Sequence, residues 1–256
     1  MNQGRPTNRQ LECVSRAAFC LTVIVLFANC GAHSPTTPDP DFNEHEWIEV
    51  TRIVSGVRGV VLSMPGHLQI EQRPERELWM RGDRALLPAV ITQVRNGILE
   101  IRLEPGAVPH PGRPTEFVLT TPMLESAELA DFGVIRCSNL DTDQLSLRLT
   151  DTGALDFPDL SASELRVATG HGGGSVHVSG RVHKQSIELP GVASYDARDL
   201  YSSEAEVVLS GSGSATVRVE DRLVVTIVGP GSVYYLGDPE VESTITGTGQ
   251  VVRIGS

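Results

Sequence analysis

Three stretches near the end of the chain carry one pattern: "EAEVVLSGSGSATV" (204–217), "RLVVTIVGPGSVYY" (222–235) and "EVESTITGTGQVVR" (240–253). In each, every second position before the glycines is a core candidate: Ala205, Val207 and Leu209, then Leu223, Val225 and Ile227, then Val241, Ser243 and Ile245. A Gly-x-Gly follows at Gly211 and Gly213, at Gly229 and Gly231, and at Gly247 and Gly249, each set 18 residues from the last. Alternation then resumes with Ala215, Val233 and Val251. Period-two alternation describes strands with one face inside and one outside.

The frame continues backwards with slightly longer units. Leu145, Leu147 and Leu149 precede a corner at Asp151–Gly153, with Leu155 and Phe157 beyond it. Leu129, Asp131, Gly133 and Ile135 match them twenty residues earlier, and Ile187, Leu189, Gly191 and Tyr195 form another unit. The unit at 164–183 has extra glycines in "GHGGG", and its register stays open. One such layer cannot bury its own apolar face, whereas stacked layers build a continuous core of like residues. The pattern therefore predicts an all-β fold, a parallel β-helix with coils of about 18–22 residues. Glycine at the corners is expected to supply positive φ and close approach of successive coils. No helical periodicity follows any Gly-x-Gly, so these are not phosphate loops.

Residues 47–115 alternate less regularly, in "WIEVTRIV", "GVVLSMPGHLQIEQ" and "VRNGILEIRL", where Asn96–Gly97 is a hairpin-type turn. The prolines of "EPGAVPHPGRP" (104–114) exclude a central strand and predict a loop. Nothing divides the body, so 47–256 reads as a single domain.

The N-terminus is an address. Arg5, Arg9 and Arg16 precede the short apolar run "AAFCLTVIVLFA" (17–28), which fits a signal peptide over 1–29. Cys30, directly after it, is the expected lipidation site, and 30–46, with Pro35, Pro38 and Pro40, reads as a tether. The membrane is thus an expected partner through a lipid anchor at Cys30. Cys137 alone remains in the body, where a packed thiol is expected.

The chain holds 21 basic and 32 acidic residues, a net charge of −11. Residues 1–29 contain three arginines and one glutamate, so the rest carries 18 basic and 31 acidic residues, or −13. That field disfavours nucleic acid as a partner. No cofactor is expected.

"GPGSVYYLGDPEVESTITGTGQVV" resembles the closing signature of the head GIN domain proteins, a β-helical family named for adhesion. The residues that carry it are Gly229, Gly231, Val233, Tyr234, Tyr235, Gly237, Pro239, Gly247 and Gly249. "ELWMRGDRALLPAVITQVRNGILEIRL" is similar to the family's opening section, so the resemblance covers roughly 47–255. It implies a right-handed β-helix and a cell-envelope location, and no particular activity. No series of barrel strands follows Ile254 in this sequence, so signal peptide and lipid anchor are the expected route to an outer-membrane or periplasm-facing position.

Four features invite a site. Arg81–Gly82–Asp83 reads as a surface turn at a strand end. His171, His177 and His183 lie six residues apart, and exposed histidines are expected there rather than a metal site. Asp131 and Asp151 occupy matching corners, where stacked carboxylates about 5 Å apart would repel unless they cap turn N–H groups or share a cation. Tyr234, Tyr235 and Tyr201 suggest a surface, and Tyr234 is expected to face outward and Tyr235 inward, so that Tyr234 could stack on a sugar ring. With no nucleophile–base constellation, the sequence reads as a non-enzymatic binding module for a glycan or surface protein. The alternatives are a polysaccharide-acting enzyme built on the two aspartates and an assembly protein that self-associates through the β-edge at 241–254.

Overall fold

A computed structural model describes residues 46–110 and 112–256, which fall in one compact unit, 41–256. The leader over 1–29, Cys30 and the tether as far as residue 45 lie outside the described residues.

Among the described residues, seventeen strands and one short 3-10 turn make up the domain, and their pairing builds a β-solenoid. One face stacks, in parallel and in this order, β6 (Ile98–Leu103), β2 (Gly59–Ser63) and β8 (Ser126–Leu129). It continues through the C-terminal parts of β10 (Leu140–Leu149), β11 (Ala154–Thr169), β12 (Ser175–Leu189), β13 (Ser194–Leu209) and β14 (Ser214–Ile227), and ends on β16 (Glu240–Ile245). The second face stacks β7 (Thr115–Thr121), β3 (Gly66–Gln72), β9 (Gly133–Cys137), the N-terminal parts of β11 to β14, β15 (Ser232–Leu236) and β17 (Gln250–Gly255). A short third side pairs the return segments around Leu140, Leu160, Gly180 and Leu200.

The coils rise by repetition of one core-facing column, buried in all but the last coil. Ile101, Leu62, Leu129 and Leu149 are direct neighbours in register, as are Leu189, Leu209, Ile227 and Ile245. Thr169 occupies the place between Leu149 and Leu189, and its buried hydroxyl has no hydrogen-bond partner. The core contains one polar chain: the Tyr195 hydroxyl donates to Gln185 Oε1 (2.9 Å), Gln185 Nε2 donates to Ser202 Oγ (2.8 Å), and that hydroxyl donates to the Arg218 carbonyl (2.8 Å). On the outer surface, Glu164, Lys184, Glu204, Arg222 and Glu240 stand in register on five successive strands, alternating in sign.

The corner glycines act by close approach. A β-carbon on Gly211, Gly213, Gly229, Gly231, Gly247 or Gly249 would lie 1.9–2.3 Å from a carbonyl oxygen of the coil before. None of these six has positive φ; among the expected corner and motif glycines, Gly133, Gly153 and Gly237 do. The expectation of positive φ is thus corrected for the Gly-x-Gly corners: the backbones are too close for any side chain, whatever the torsion. Gly237 needs glycine on both counts, at φ 104° with its missing β-carbon 1.9 Å from the Val219 carbonyl oxygen.

The open register at 164–183 has a simple cause. Corners 150–153, 190–193, 210–213, 228–231 and 246–249 take four residues, whereas 170–174 takes five. Ser175 consequently follows its partner Ala154 by 21 positions and precedes Ser194 by 19.

The first coils are closed by antiparallel strands. β5 (Val90–Arg95) folds onto β6 through Asn96 (φ 51°) and Gly97 (φ 83°), the turn predicted there. β4 (Glu77–Asp83) runs against β7, and β1 (Trp47–Ile53) against β4.

A candidate ligand groove at the loop-bearing corner

One corner is unlike the others. Between β6 and β7 the chain inserts eleven residues, 104–114, where later corners take three to five. Gly106 and Gly112 turn through positive φ (90° and 79°), and the prolines keep the segment out of the sheet. The corners of the two following coils in the stack, Met64–Pro65 and Asp131–Phe132, lie beside this loop. Together they enclose a groove of about 720 Å³.

Its walls are mostly apolar, from Met64, Pro65, Leu103, Ala107, Pro109, Pro114 and Phe132, with His67, His110, Arg113 and Asp131 among them. The local backbone explains the exposure of the last corner. Gly133, at φ 152°, lets the strand pass so close to Gly66 that a β-carbon would meet the Gly66 carbonyl oxygen at 2.2 Å. The two residues before it are thereby turned outward. The Phe132 N–H donates to Asp131 Oδ1 (2.8 Å), which fixes the turn, and the ring remains 58% exposed. An apolar cleft with a few convergent polar groups is the usual form of a ligand site.

The structure brings only one of the expected site residues into this groove, Asp131. Asp151 stands one coil further on, exposed and outside the groove lining. The next place in that column belongs to Gly172, whose missing β-carbon would lie 2.9 Å from the Asp151 carbonyl oxygen, so the carboxylate column stops at two. Tyr234 lies on β15, half-buried on the outer surface between Thr216 and Val252, while Tyr235 packs on the core. Gly237 and Pro239 form the return from β15 to β16.

At three of the Gly-x-Gly corner glycines the amide is used between coils, and Gly211 N–H donates to the Leu189 carbonyl (3.3 Å). Gly213 N–H donates to the Gly191 carbonyl (3.1 Å) and Gly231 N–H to that of Gly211 (3.2 Å). The three histidines occupy different sides: His171 a corner, His177 the second face between Asp156 and Asp196, and His183 the return. Among the described residues no three His, Cys, Asp or Glu side chains gather to hold a metal ion.

The Arg-Gly-Asp tripeptide is not a surface turn. It ends β4 between two antiparallel neighbours, with Gly82 and Asp83 buried. Asp83 Oδ1 accepts the Ala85 N–H (2.8 Å), and the Arg81 guanidinium lies 5.2 Å from the Trp47 ring and 3.7 Å from the Glu116 carboxylate. Cys137 is a packed thiol, as expected: burial pushes it up from 9.0 to about 11. No helix among the described residues is long and apolar enough to cross a membrane.

Sequence reasoning marked 104–114 only as a loop and missed His67, His110, Arg113 and Phe132. The available signal was that the loop interrupts a coil at the very position where every other coil makes its tight corner.

Comparison with known proteins agrees with this architecture. A putative adhesin from Bacteroides fragilis superposes with a TM-score of 0.78 at 20% identity, over 83% of this chain and 99% of that one. A protein titled "putative lipid binding protein" from Parabacteroides distasonis gives 0.64 at 18% identity, over 81% and 96%. A putative adhesin from Parabacteroides merdae gives 0.61 at 17% identity, over 82% and 96%. At these identities the likeness shows the fold. No curated protein matches the chain. The family described as "Putative auto-transporter adhesin, head GIN domain" matches residues 58–239, and the chain belongs to that family.

Proposed function

We propose that this chain is a non-catalytic binding module of the cell envelope, and that its ligand sits in the groove beneath the 104–114 loop. The observation that carries this reading is the exposed Phe132 ring set beside Asp131 at the mouth of a largely apolar groove. A flat aromatic face next to a hydrogen-bonding carboxylate suits a sugar ring or an apolar side chain of a surface protein. The names of the family and of the similar structures speak of adhesion and, once, of lipid binding; they support recognition at a surface and name no reaction. Export by the leader and a lipid anchor at Cys30 complete the proposal.

The polysaccharide-cleaving alternative needs two carboxylates flanking one bond. The groove lining contains one acidic side chain, Asp131, and Asp151 lies outside it. Its test is direct: glycan cleavage abolished by Asp131→Asn and Asp151→Asn would revive an enzyme.

A glycan and matrix-protein array probed with residues 46–256, with and without Ca²⁺, tests the binding reading. Reproducible binding to one ligand class, lost in Phe132→Ala and kept in Tyr234→Ala, is expected. Binding that survives Phe132→Ala moves the site away from the groove.

A further inference from the structure

The two ends of the described solenoid differ. At the first coil, β5 covers β6, and β4 and β1 cover β7. At the last coil no strand among the described residues lies on the outer edge of β16, and all six of its residues are exposed, Val241 and Ile245 included. The other strand of that coil is closed chemically. Arg253 stands in register with Tyr235, at a position that faces the core in the coils before, and pairs with Asp238 at 3.0 Å. Stacking on β17 would bury this ion pair, so the open edge is that of β16 alone.

The free groups of that edge can be assigned. Thr246 N–H donates to the Ile227 carbonyl, so even-numbered residues direct their backbone groups at β14. Val241, Ser243 and Ile245 then present N–H and C=O outward. An antiparallel partner must match these three and keep core-facing side chains on the core side. For a second β16, two registers leave most of the strand paired, with five of its six residues in each, and they are centred on Glu242 or Ser243; centring on Val241 or Thr244 pairs only three. Centring on Glu242 sets that carboxylate against its own copy, and like charges directly opposite destabilise a pair. Centring on Ser243 sets Val241 against Ile245, Glu242 against Thr244, and Ser243 against itself.

We infer that β16 pairs antiparallel with β16 of a second copy of this chain, about a two-fold axis through Ser243. The occupant follows from this self-match of charge, side-chain face and free backbone groups. The interface is one short strand wide, so the dimer exchanges with monomer and forms with concentration. This inference is independent of the groove, and its failure would leave the binding proposal where it stands.

Sedimentation of the full-length chain over a range of concentrations is the first arm. A monomer–dimer equilibrium is expected, and Ile245→Lys, at a residue already 42% exposed, should weaken it at least about tenfold without unfolding the domain. The second arm is Ser243→Cys under mild oxidation. A hydrogen-bonded antiparallel pair places the two α-carbons about 5.5 Å apart, within disulfide range, so a covalent dimer absent from the parent chain should form. Glu242→Cys, opposite Thr244 of the other copy, should give far less. A monomer at every concentration overturns the inference. So does a dimer that Ser243→Cys fails to cross-link, which would mean another surface or another partner strand on this edge.

Discussion

The carbonyl oxygen of Gly211 lies 2.3 Å from the place a β-carbon on Gly229 would occupy. The same relation recurs one coil later, where the Gly229 oxygen lies 2.1 Å from the missing β-carbon of Gly247. These contacts are backbone against side chain, and no rotamer change relieves them.

Gly229→Ala should therefore cost about 2–3 kcal/mol of stability, the upper part of the overpacking range, because two stacked corners must move apart. Gly106→Ala has open space around it and positive φ, so its cost should be only about 1–2 kcal/mol of backbone strain. Urea unfolding of both variants separates crowding from torsion. Equal losses would refute the close-approach account of the corners.

Thr169 interrupts a column of leucines with a hydroxyl that finds no partner. Thr169→Val keeps the shape and removes the orphan group, and should stabilise the domain by about 1 kcal/mol. A loss of stability in thermal unfolding would mean that the hydroxyl is hydrogen-bonded after all.

The chain from Tyr195 through Gln185 and Ser202 to the Arg218 carbonyl should behave as a unit. Gln185→Leu strands the Tyr195 hydroxyl and takes the donor away from the Ser202 oxygen, which still donates to the Arg218 carbonyl. It should cost about 2–3 kcal/mol, while Tyr195→Phe should cost about 1 kcal/mol. Because Tyr195→Phe removes the very hydroxyl that Gln185→Leu would leave unpaired, the double variant should cost less than the sum. Strict additivity would show that the contacts are independent.

Alkali should destabilise the domain over two overlapping pH ranges. Burial raises Cys137 from 9.0 to about 11, so the neutral thiol is the form the fold favours, and its contribution is intact below pH 9. As pH rises from 9 through 11 the unfolded chain ionises first, and on the order of 2–3 kcal/mol of stability is lost. Burial also pushes Tyr195 above its ordinary 10.0, which adds a further loss at higher pH. In Cys137→Ala the stability curve between pH 9 and 11 should be flatter than in the parent, whatever its absolute level. An unchanged slope would place the alkaline sensitivity elsewhere.

Much of this fold is legible in the sequence because a solenoid writes its core as a repeat. Leu209, Ile227 and Ile245 recur at a fixed interval, and the structure stacks them in register. Other relations leave no such mark. Residues 59–63 pair with 98–102 on one side and 126–129 on the other, so a coil late in the chain lies outside an earlier one. Alternation shows that each segment is a strand and is silent about that order. Glycine has the same ambiguity, since one letter serves both a left-handed torsion and a crowded backbone, and only coordinates separate Gly237 from Gly229. The groove was hidden for a third reason. Its walls come from 63–67, 103–115 and 131–132, which share no motif and meet only because the coil order brings them together.

The column Glu164, Lys184, Glu204, Arg222 and Glu240 has a consequence for how such a chain can change length. Deleting one interior coil would bring two like charges into register, whereas deleting two adjacent coils would restore the alternation. Single-coil insertions meet the same parity. Growth and shrinkage of this part of the domain are thus favoured in steps of two, a counting rule imposed by surface charge on a core that would accept any number.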